Sequence, residues 1–552
     1  MKQLSLLLGV LFFSTISFAV VDMKNANYSS TWVDLQIPGS GFDLKIVRTY
    51  NSRSLYSSIF GFGMCSDFET KLDLLPEGGI QVTECGGGQE VLYHTKQTGK
   101  KEIEKTVSSI LTAMKTSKKF DDKKLKQLEK EMLADQTVRT QYASEFKIAA
   151  SVKEGSTLYS GDRELDNILV TKEGYTRNLA DGSSQKFTKD GKMLNWYDKN
   201  SNYIKFEWDK DKLKEVVDNN GRRLTFKWYD AAKKVKSVQG PDGIEVEYKY
   251  GSNNDDLVWV KNQWKNTYTY EYDELHNMTK AGYPDGTFVA LTYDTKRDWV
   301  TSFVDREKCK ETYKYEFDEK APDDHYWSTV EKVCGKEVTN NSRHEFWYKT
   351  NSSGLKVMQK VSSVVNGDST EIEYHEQFGR PTKIRRNGET YEYTYYPNGQ
   401  AKTKKGTYTF LTYTYDPKSK KVSKLDSISY DGKGKKTGTR TYSFKYDGKG
   451  NLIYADNSSG QKVNMSYDNK GRITSILDQA KKTVKIEYEE RYGKPAKVTR
   501  PGLGTIKVSY KTGGDIDKVE SPEGPDIALQ VASTFNNYLD IIAPASAEIY
   551  SN

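Results

Sequence analysis

Cysteine and histidine are scarce in these 552 residues, with four and five copies respectively. His94, His276, His325, His344 and His375 are scattered without metal-ligand spacing, and no CxxC occurs, so a zinc site has no support. Cys65, Cys85, Cys309 and Cys334 form an even set, which favours disulfides in an exported chain. Nearest-neighbour pairing gives Cys65–Cys85 and Cys309–Cys334. Three pairings are formally open, and free thiols are the alternative in a reducing compartment. An excess of one charge is missing too. Lys and Arg number 84 against 76 Asp and Glu, interspersed even within strands, as in Glu245-Val-Glu-Tyr-Lys249. That pattern is a solvated face and excludes a nucleic-acid-binding stripe. After the first 19 residues no apolar run reaches the roughly 18 residues of a membrane span. No GxSxG, HExxH, phosphate-binding loop or dinucleotide fingerprint occurs. Gly86-Gly-Gly88 lacks the Lys-Ser/Thr of a phosphate loop and reads as a turn, and Glu489-Glu490 and Asp255-Asp256 sit in charged turns. The expectation is a non-enzyme with no catalytic residue, metal or cofactor.

What is present is aromatic. Apolar residues make up 36% of the chain, but aromatics reach 12%, with 39 Tyr, which excludes a disordered chain. Residues 1–19 combine Lys2, an apolar stretch from Leu4 to Phe18 and the small-residue site Ser17-Phe18-Ala19, the pattern of a cleavable export signal. Residues 20–99 read as an N-terminal β region, in which Leu44, Ile46 and Arg48 alternate with polar neighbours. Residues 100–152 change period. Ile103, Val107, Ile110, Leu111 and Met114 recur at helical spacing, and Phe120-Asp121 followed by Leu125 reads as an N-cap with a hydrophobic staple. This is a helical insertion in a β protein.

The clearest pattern runs from Thr441 to Pro501. Tyr446, Tyr467 and Tyr488 are spaced 21 residues apart, with Gly450, Gly471 and Gly493 after them and Asp447 and Asp468 directly following the first two. A fixed period of this length marks a repeat architecture. Earlier copies place Trp208, Tyr229, Tyr250, Tyr272-Asp273 and Tyr293-Asp294 at steps of 21 or 22 residues. The array spans residues 153–523. It becomes irregular over 318–370, reading there as a decorated repeat or loop, and stumbles again at Tyr430. Before each aromatic the residues alternate, as in Ile204/Phe206/Trp208 and Val484/Ile486/Tyr488, so each unit is a pair of short strands with an apolar face. Asp or Asn before Gly supplies tight turns, and the Asp after each aromatic is placed to accept backbone N–H groups of its own turn. The fold class is mainly β: an antiparallel hairpin-repeat ribbon that curls with Tyr and Trp inside, plus a small helical insertion. Residues 524–552 carry Ile527, Val531, Phe535, Leu539 and Ile542 at helical spacing and read as a capping helix.

Tyr467-Asp468-x-x-Gly471-Arg472-Ile473 and Tyr446-Asp447-x-x-Gly450-Asn-Leu452 resemble the YD repeat of the Rhs family, which includes bacterial Rhs proteins, wall-associated proteins and the teneurins. Leu35-x-Ile-Pro38, Leu44, Arg48-Thr-Tyr-Asn-Ser52 and Gly61-Phe-Gly63 are similar to the region preceding such repeats, with Met64 where a Trp is common. The resemblance implies a β-strip that spirals into a shell, closed in toxin-carrying members by a self-cleaving Asp-Pro-x-Gly segment. Here Asp416-Pro417-Lys-Ser419 lacks the Gly and lies inside the array, and about 40 residues follow Tyr510, too few for an independent toxin domain. The functional expectation is an exported structural or adhesive protein of the periplasm, cell surface or medium. Its partner would be a cell-surface glycan, stacked on surplus aromatics, or a protein cargo or effector. The alternative is a toxin-delivery shell, or a remnant of one, acting with a separately encoded effector.

Overall fold

A computed structural model describes residues 20–94, 100–148, 152–160, 165–350, 356–522 and 524. The expected export signal at 1–19 and all but the first residue of the expected capping helix at 524–552 lie outside the described residues.

The chain is mainly β. Thirty-three strands, from Thr157–Tyr159 to Ile516–Glu520, follow one another in sequence order and do not close into a barrel. The described pairings are antiparallel, as short hairpin connections require. Two compact units are distinguished: residues up to Cys65 together with those from Tyr197 onward, and Ser66–Trp196.

In the first unit, Val20–Asp22, Asn27–Ile37, Leu44–Asn51 and Met64–Cys65 form a four-stranded sheet. Alternation along Leu44–Asn51 buries Leu44, Ile46, Arg48 and Tyr50 and leaves Lys45 exposed. In the partner strand the register slips at Val33/Leu35, so Asp34 is the extra residue of a β-bulge. The bulge turns an acidic side chain into the interior, opposite Arg48.

The repeats owe their curl to another bulge that composition does not announce. In the hairpins carrying Tyr272, Tyr293, Tyr446, Tyr467 and Tyr488, the register shifts between the motif aromatic and the residue before it. The same shift precedes Trp208. A bulge at the same place in many repeats, though not in the one carrying Tyr315, bends and twists the ribbon. It also corrects the expectation that the motif aromatics lie inside. Phe444, Met465 and Ile486, two residues earlier, are buried, whereas Tyr446, Tyr467 and Tyr488 are only half-buried and Tyr229 is 37% exposed. The bulge shifts each aromatic out of the alternation and toward the sheet edge.

Across 318–370 the 21-residue register is lost but the ladder continues. His325–Cys334, Glu337–Thr350 and Lys356–Val365 are strands of 10, 14 and 10 residues, about twice the usual array strand. Where a decorated repeat or loop was expected, longer strands stretch the period. Cys334 ends the first of them and is bonded to Cys309. The stumble at Tyr430 has a topological cause: the Tyr430-Asp431 turn, between Val422–Tyr430 and Lys436–Tyr446, lies on the edge opposite the turns at Tyr229, Tyr272, Tyr293, Tyr446 and Tyr467.

The second unit holds the sheet Lys71–Leu74, Ile80–Thr83, Glu90–Tyr93 and three helices: α1 (Lys100–Ser117), α2 (Asp122–Ala134) and α3 (Gln136–Glu145). Val107, Ile110, Met114, Leu125, Leu128 and Met132 form the helical core. Asp121 caps α2, its Oδ1 accepting from Lys124 N–H at 2.7 Å, and Phe120 packs on Tyr142 and Phe146. Arg139 forms a buried ion pair with Glu77 and donates to the Met132 carbonyl.

Candidate functional site

The repeat motif acts as a set of ties. The Tyr467 hydroxyl donates to the Leu452 carbonyl 15 residues earlier, at 2.7 Å. Tyr488 donates to Ile473 at 2.8 Å, Tyr510 to Pro495 at 2.7 Å, Tyr315 to Val300 at 2.8 Å and Tyr293 to Met278 at 2.9 Å, all at the same separation. Tyr446 reaches the Val422 carbonyl at 2.7 Å. Each ring thus clips its own hairpin to the preceding one. Burial, reinforced by nearby carboxylates, pushes the Tyr446, Tyr467 and Tyr510 hydroxyls up to about 12.

The aspartates close the turns. Asp447 Oδ1 accepts from Lys449 N–H at 2.9 Å and Asn451 N–H at 2.8 Å. Asp468 does the same with Lys470 and Arg472, and Asp273 with Leu275 and Asn277. Asp294 Oδ1 takes Lys296 and Arg297 N–H. Burial alone would raise Asp447 and Asp468; their hydrogen bonds outweigh it and hold both carboxyls below the usual range.

Turns of early repeats meet turns of late ones. Asn451 Nδ2 donates to Asn200 Oδ1 at 2.9 Å, across 251 residues of sequence. Asn202 Nδ2 donates to the Lys470 carbonyl at 2.9 Å, Lys199 to the Gly450 carbonyl at 3.1 Å, and Arg222 to the Arg491 carbonyl at 3.1 Å. Arg491 forms an ion pair with Asp242. Three successive hairpins therefore lie on three others about 250 residues later, so the ribbon passes over itself. The loop from Pro38 to Asp43 enters this seam. Arg222 donates to the Pro38 carbonyl, and Arg472, held by Asp468 at 2.6 Å, reaches Ser40 Oγ at 3.2 Å. Two motif glycines are explained here. Gly471 (φ +82°) and Gly493 (φ +65°) need left-handed backbone, and a Cβ at either would also strike a neighbour: Asn200 at the first, Ser40 at the second.

The N-terminal sheet covers part of the array's apolar face through Arg48. Its guanidinium is fully buried and paired with Asp34, with Nη2 to Oδ1 at 3.0 Å. Asp34 also accepts from Tyr248 OH at 2.9 Å, and Arg48 donates to Tyr270 OH at 3.2 Å. Trp32, Tyr248 and Tyr270 surround the cation with ring centroids 5.6 to 5.8 Å away. Burial opposes the charge, but the Asp34 carboxylate outweighs it and holds Arg48 well above its usual value. Tyr50 OH accepts from Met278 N–H at 2.9 Å, and Tyr28 packs on Phe303. Sequence reasoning placed Arg48 on a strand but missed this role. The signal available was a charged residue at an inward position of an alternating strand.

Several other polar groups are held in local contacts. Asp305, Glu307 and Cys309 lie close together, but Cys309 is disulfide-bonded and cannot ligate a metal as a thiolate. Cys65 and Cys85 are also disulfide-bonded, and no described cysteine is free. Both nitrogens of His344 contact serine hydroxyls, Ser363 at 2.9 Å and Ser342 at 3.1 Å; burial lowers its pKa. Aromatic rings on the polar face carry cations: Lys360 over Trp347 at 4.0 Å, Lys249 over Trp259 at 4.3 Å and Arg343 over Trp327 at 4.6 Å. No described helix is long and apolar enough to cross a membrane.

A family described as "Domain of unknown function (DUF6531)" matches residues 19–93. No curated protein matches the sequence. Among solved structures, the chain is similar to a TcdB2-TccC3-TEV crystal structure at 10% identity and TM-score 0.42, covering 90% of this chain and 28% of that one. It is similar to TcdB2-TccC3 without its hypervariable C-terminal region at 11% identity and TM-score 0.38, covering 94% and 31%. A Photorhabdus luminescens Tc holotoxin pore gives 10% identity and TM-score 0.33, covering 90% and 28%. The chain thus spans less than a third of the length of these structures.

Proposed function

We propose that this is an exported, non-enzymatic scaffold of the Rhs type, a coiled wall of Tyr-Asp repeats that works through a protein partner. The observation that carries the reading is the use of the motif itself. Its tyrosines tie hairpin to hairpin, its aspartates close turns, and its glycines and Arg472 serve the seam. The most regular chemistry of the chain is consumed in building a wall. The disulfides favour an oxidising compartment. A protein partner suits the surface better than a glycan, because the polar-face rings that would stack on sugars already carry Lys or Arg. A second reading, a shell acting with a separately encoded effector, draws on the seam, since coil laid on coil is how a ribbon encloses a volume.

The test is non-reducing native mass spectrometry of the protein recovered from its own cells. The scaffold reading expects a chain cleaved after Ala19, four oxidised cysteines and a protein bound in fixed ratio. A cytosolic, fully reduced chain, or hydrolysis of cell-wall polymer by the purified protein, contradicts it.

A further inference from the structure

The near-balance of charge over the whole chain hides a local excess. Between Arg380 and Lys511 stand 29 Lys and Arg against 12 Asp and Glu, a net +17 in a chain whose total is +8, so the remaining residues net −9. Asymmetry of this size points to a partner of opposite charge. One edge of these late repeats has already engaged its cations. On the seam edge Glu490 holds Lys470 and Arg472, Asp242 holds Arg491, and the Gly514 carbonyl accepts from Lys494.

The opposite edge is different. Its turns at 431–435, 458–461 and 479–482 alternate with the seam turns, as the strand order dictates. Lys433, Lys435, Lys436, Lys462, Lys481 and Lys482 sit in or beside them, and all six are exposed. Four strand spacings separate the first of these turns from the last, so the six cations occupy about 19 Å at about 4.8 Å per strand. Asp431 and Asp478 share the turns, but their Oδ1 atoms accept turn N–H groups, those of Lys433 and Lys435 at 2.9 Å and that of Lys482 at 2.8 Å. The tips are open. A Cβ at Gly434 or Gly460 would meet no described atom within 4 Å, whereas at Gly471 or Gly493 on the seam edge it strikes a neighbour.

We propose that this lysine rim binds the surface of an anionic phospholipid bilayer. The three turns carry Lys alone as cations, compact point charges on long stems, with no aromatic or Arg among them. A protein interface is poor in Lys and relies on aromatic and Arg anchors. A fluid layer of phosphate headgroups requires only charge. The contact is peripheral and does not depend on the protein partner proposed above.

The exported chain, from Val20 onward, is sedimented with sucrose-loaded vesicles of phosphatidylglycerol and phosphatidylcholine in equal parts, or of phosphatidylcholine alone. Binding is expected to the first and not to the second. Each Lys at such a surface is worth about fivefold in affinity, so Lys435→Gln/Lys462→Gln/Lys482→Gln should weaken binding about a hundredfold. Lys227→Gln/Lys310→Gln/Lys314→Gln removes the same charge from exposed positions of the early repeats and should change binding by less than about threefold. Raising salt from about 0.1 to about 1 M shortens the screening length from about 10 to about 3 Å and should abolish binding. An unchanged urea midpoint shows that both variants are folded. Equal binding to both vesicle types, binding to neither, equal losses in the two triple variants, or tighter binding of duplex DNA than of the anionic vesicles would overturn the proposal.

Discussion

Replacing Asp34 by Asn leaves its shape and removes its charge. In the native protein this carboxylate faces Arg48 within hydrogen-bond reach and accepts from Tyr248 OH, with both members of the ion pair fully buried. After the change Arg48 keeps one neutral amide oxygen at position 34, Tyr270 OH, the Met64 sulfur at 3.8 Å and three ring contacts, but no counter-charge. An uncompensated buried cation costs about 3–5 kcal/mol, whereas replacing both partners by apolar residues of similar size is often neutral. Asp34→Asn should therefore lower the unfolding free energy by about 3–5 kcal/mol. Asp34→Leu/Arg48→Met should recover most of that loss. Urea unfolding followed by near-UV circular dichroism reads both, because Trp32, Tyr248 and Tyr270 report this cluster. A single-variant loss below about 1 kcal/mol, the scale of an exposed pair, would refute the reasoning and mean that water reaches Arg48.

The Tyr467→Phe variant loses the bond to Leu452 and a long contact to the Met465 sulfur and should cost about 1 kcal/mol, whereas Tyr467→Ala also loses ring packing and should cost about 2–4 kcal/mol, below the upper end for a fully buried aromatic. Gly460→Ala and Gly471→Ala form a matched pair: both have φ above +80°, so each should cost about 1–2 kcal/mol of backbone strain, but only Gly471→Ala meets Asn200 and should cost measurably more by thermal unfolding. Acid titration should destabilise the array: Asp416, Asp447 and Asp468 are depressed in the fold, so their contribution is complete above the unfolded value near 3.9 and fades as pH falls through the lower folded values. The motif tyrosines act in the opposite sense. Their folded values near 12 exceed the unfolded value of about 10, so stability should be lost between those limits, with phenolate absorbance rising together with unfolding.

Much of the fold was legible because the repeat writes the same physics many times. Alternation before Tyr467 and Tyr488 marks strands, Gly after them marks turns, and the change of period at Ile103 marks the helices. The bulge was not legible. It depends on how two backbones pair, and no residue type announces it; the motif tyrosines were consequently placed too deep. The lengthened strands over 318–370 hid for a similar reason, since a strand twice as long looks like a lost period. The seam was out of reach because it joins residues about 250 apart that share no pattern, such as Asn200 and Asn451. Arg48 was visible as an inward residue, but its partner sits on a bulge in the neighbouring strand, so the pairing emerges only from three-dimensional register.

The central claim is that the ribbon passes over itself. Its most direct test is the pair Asn200→Cys/Asn451→Cys, purified and mildly oxidised, with peptides mapped by mass spectrometry. The coiled array predicts an intramolecular disulfide joining positions 200 and 451 in most molecules. If both positions remain as alkylatable in the pair as in the single variants, with the rest of the protein folded, the two turns do not meet and the coil is wrong.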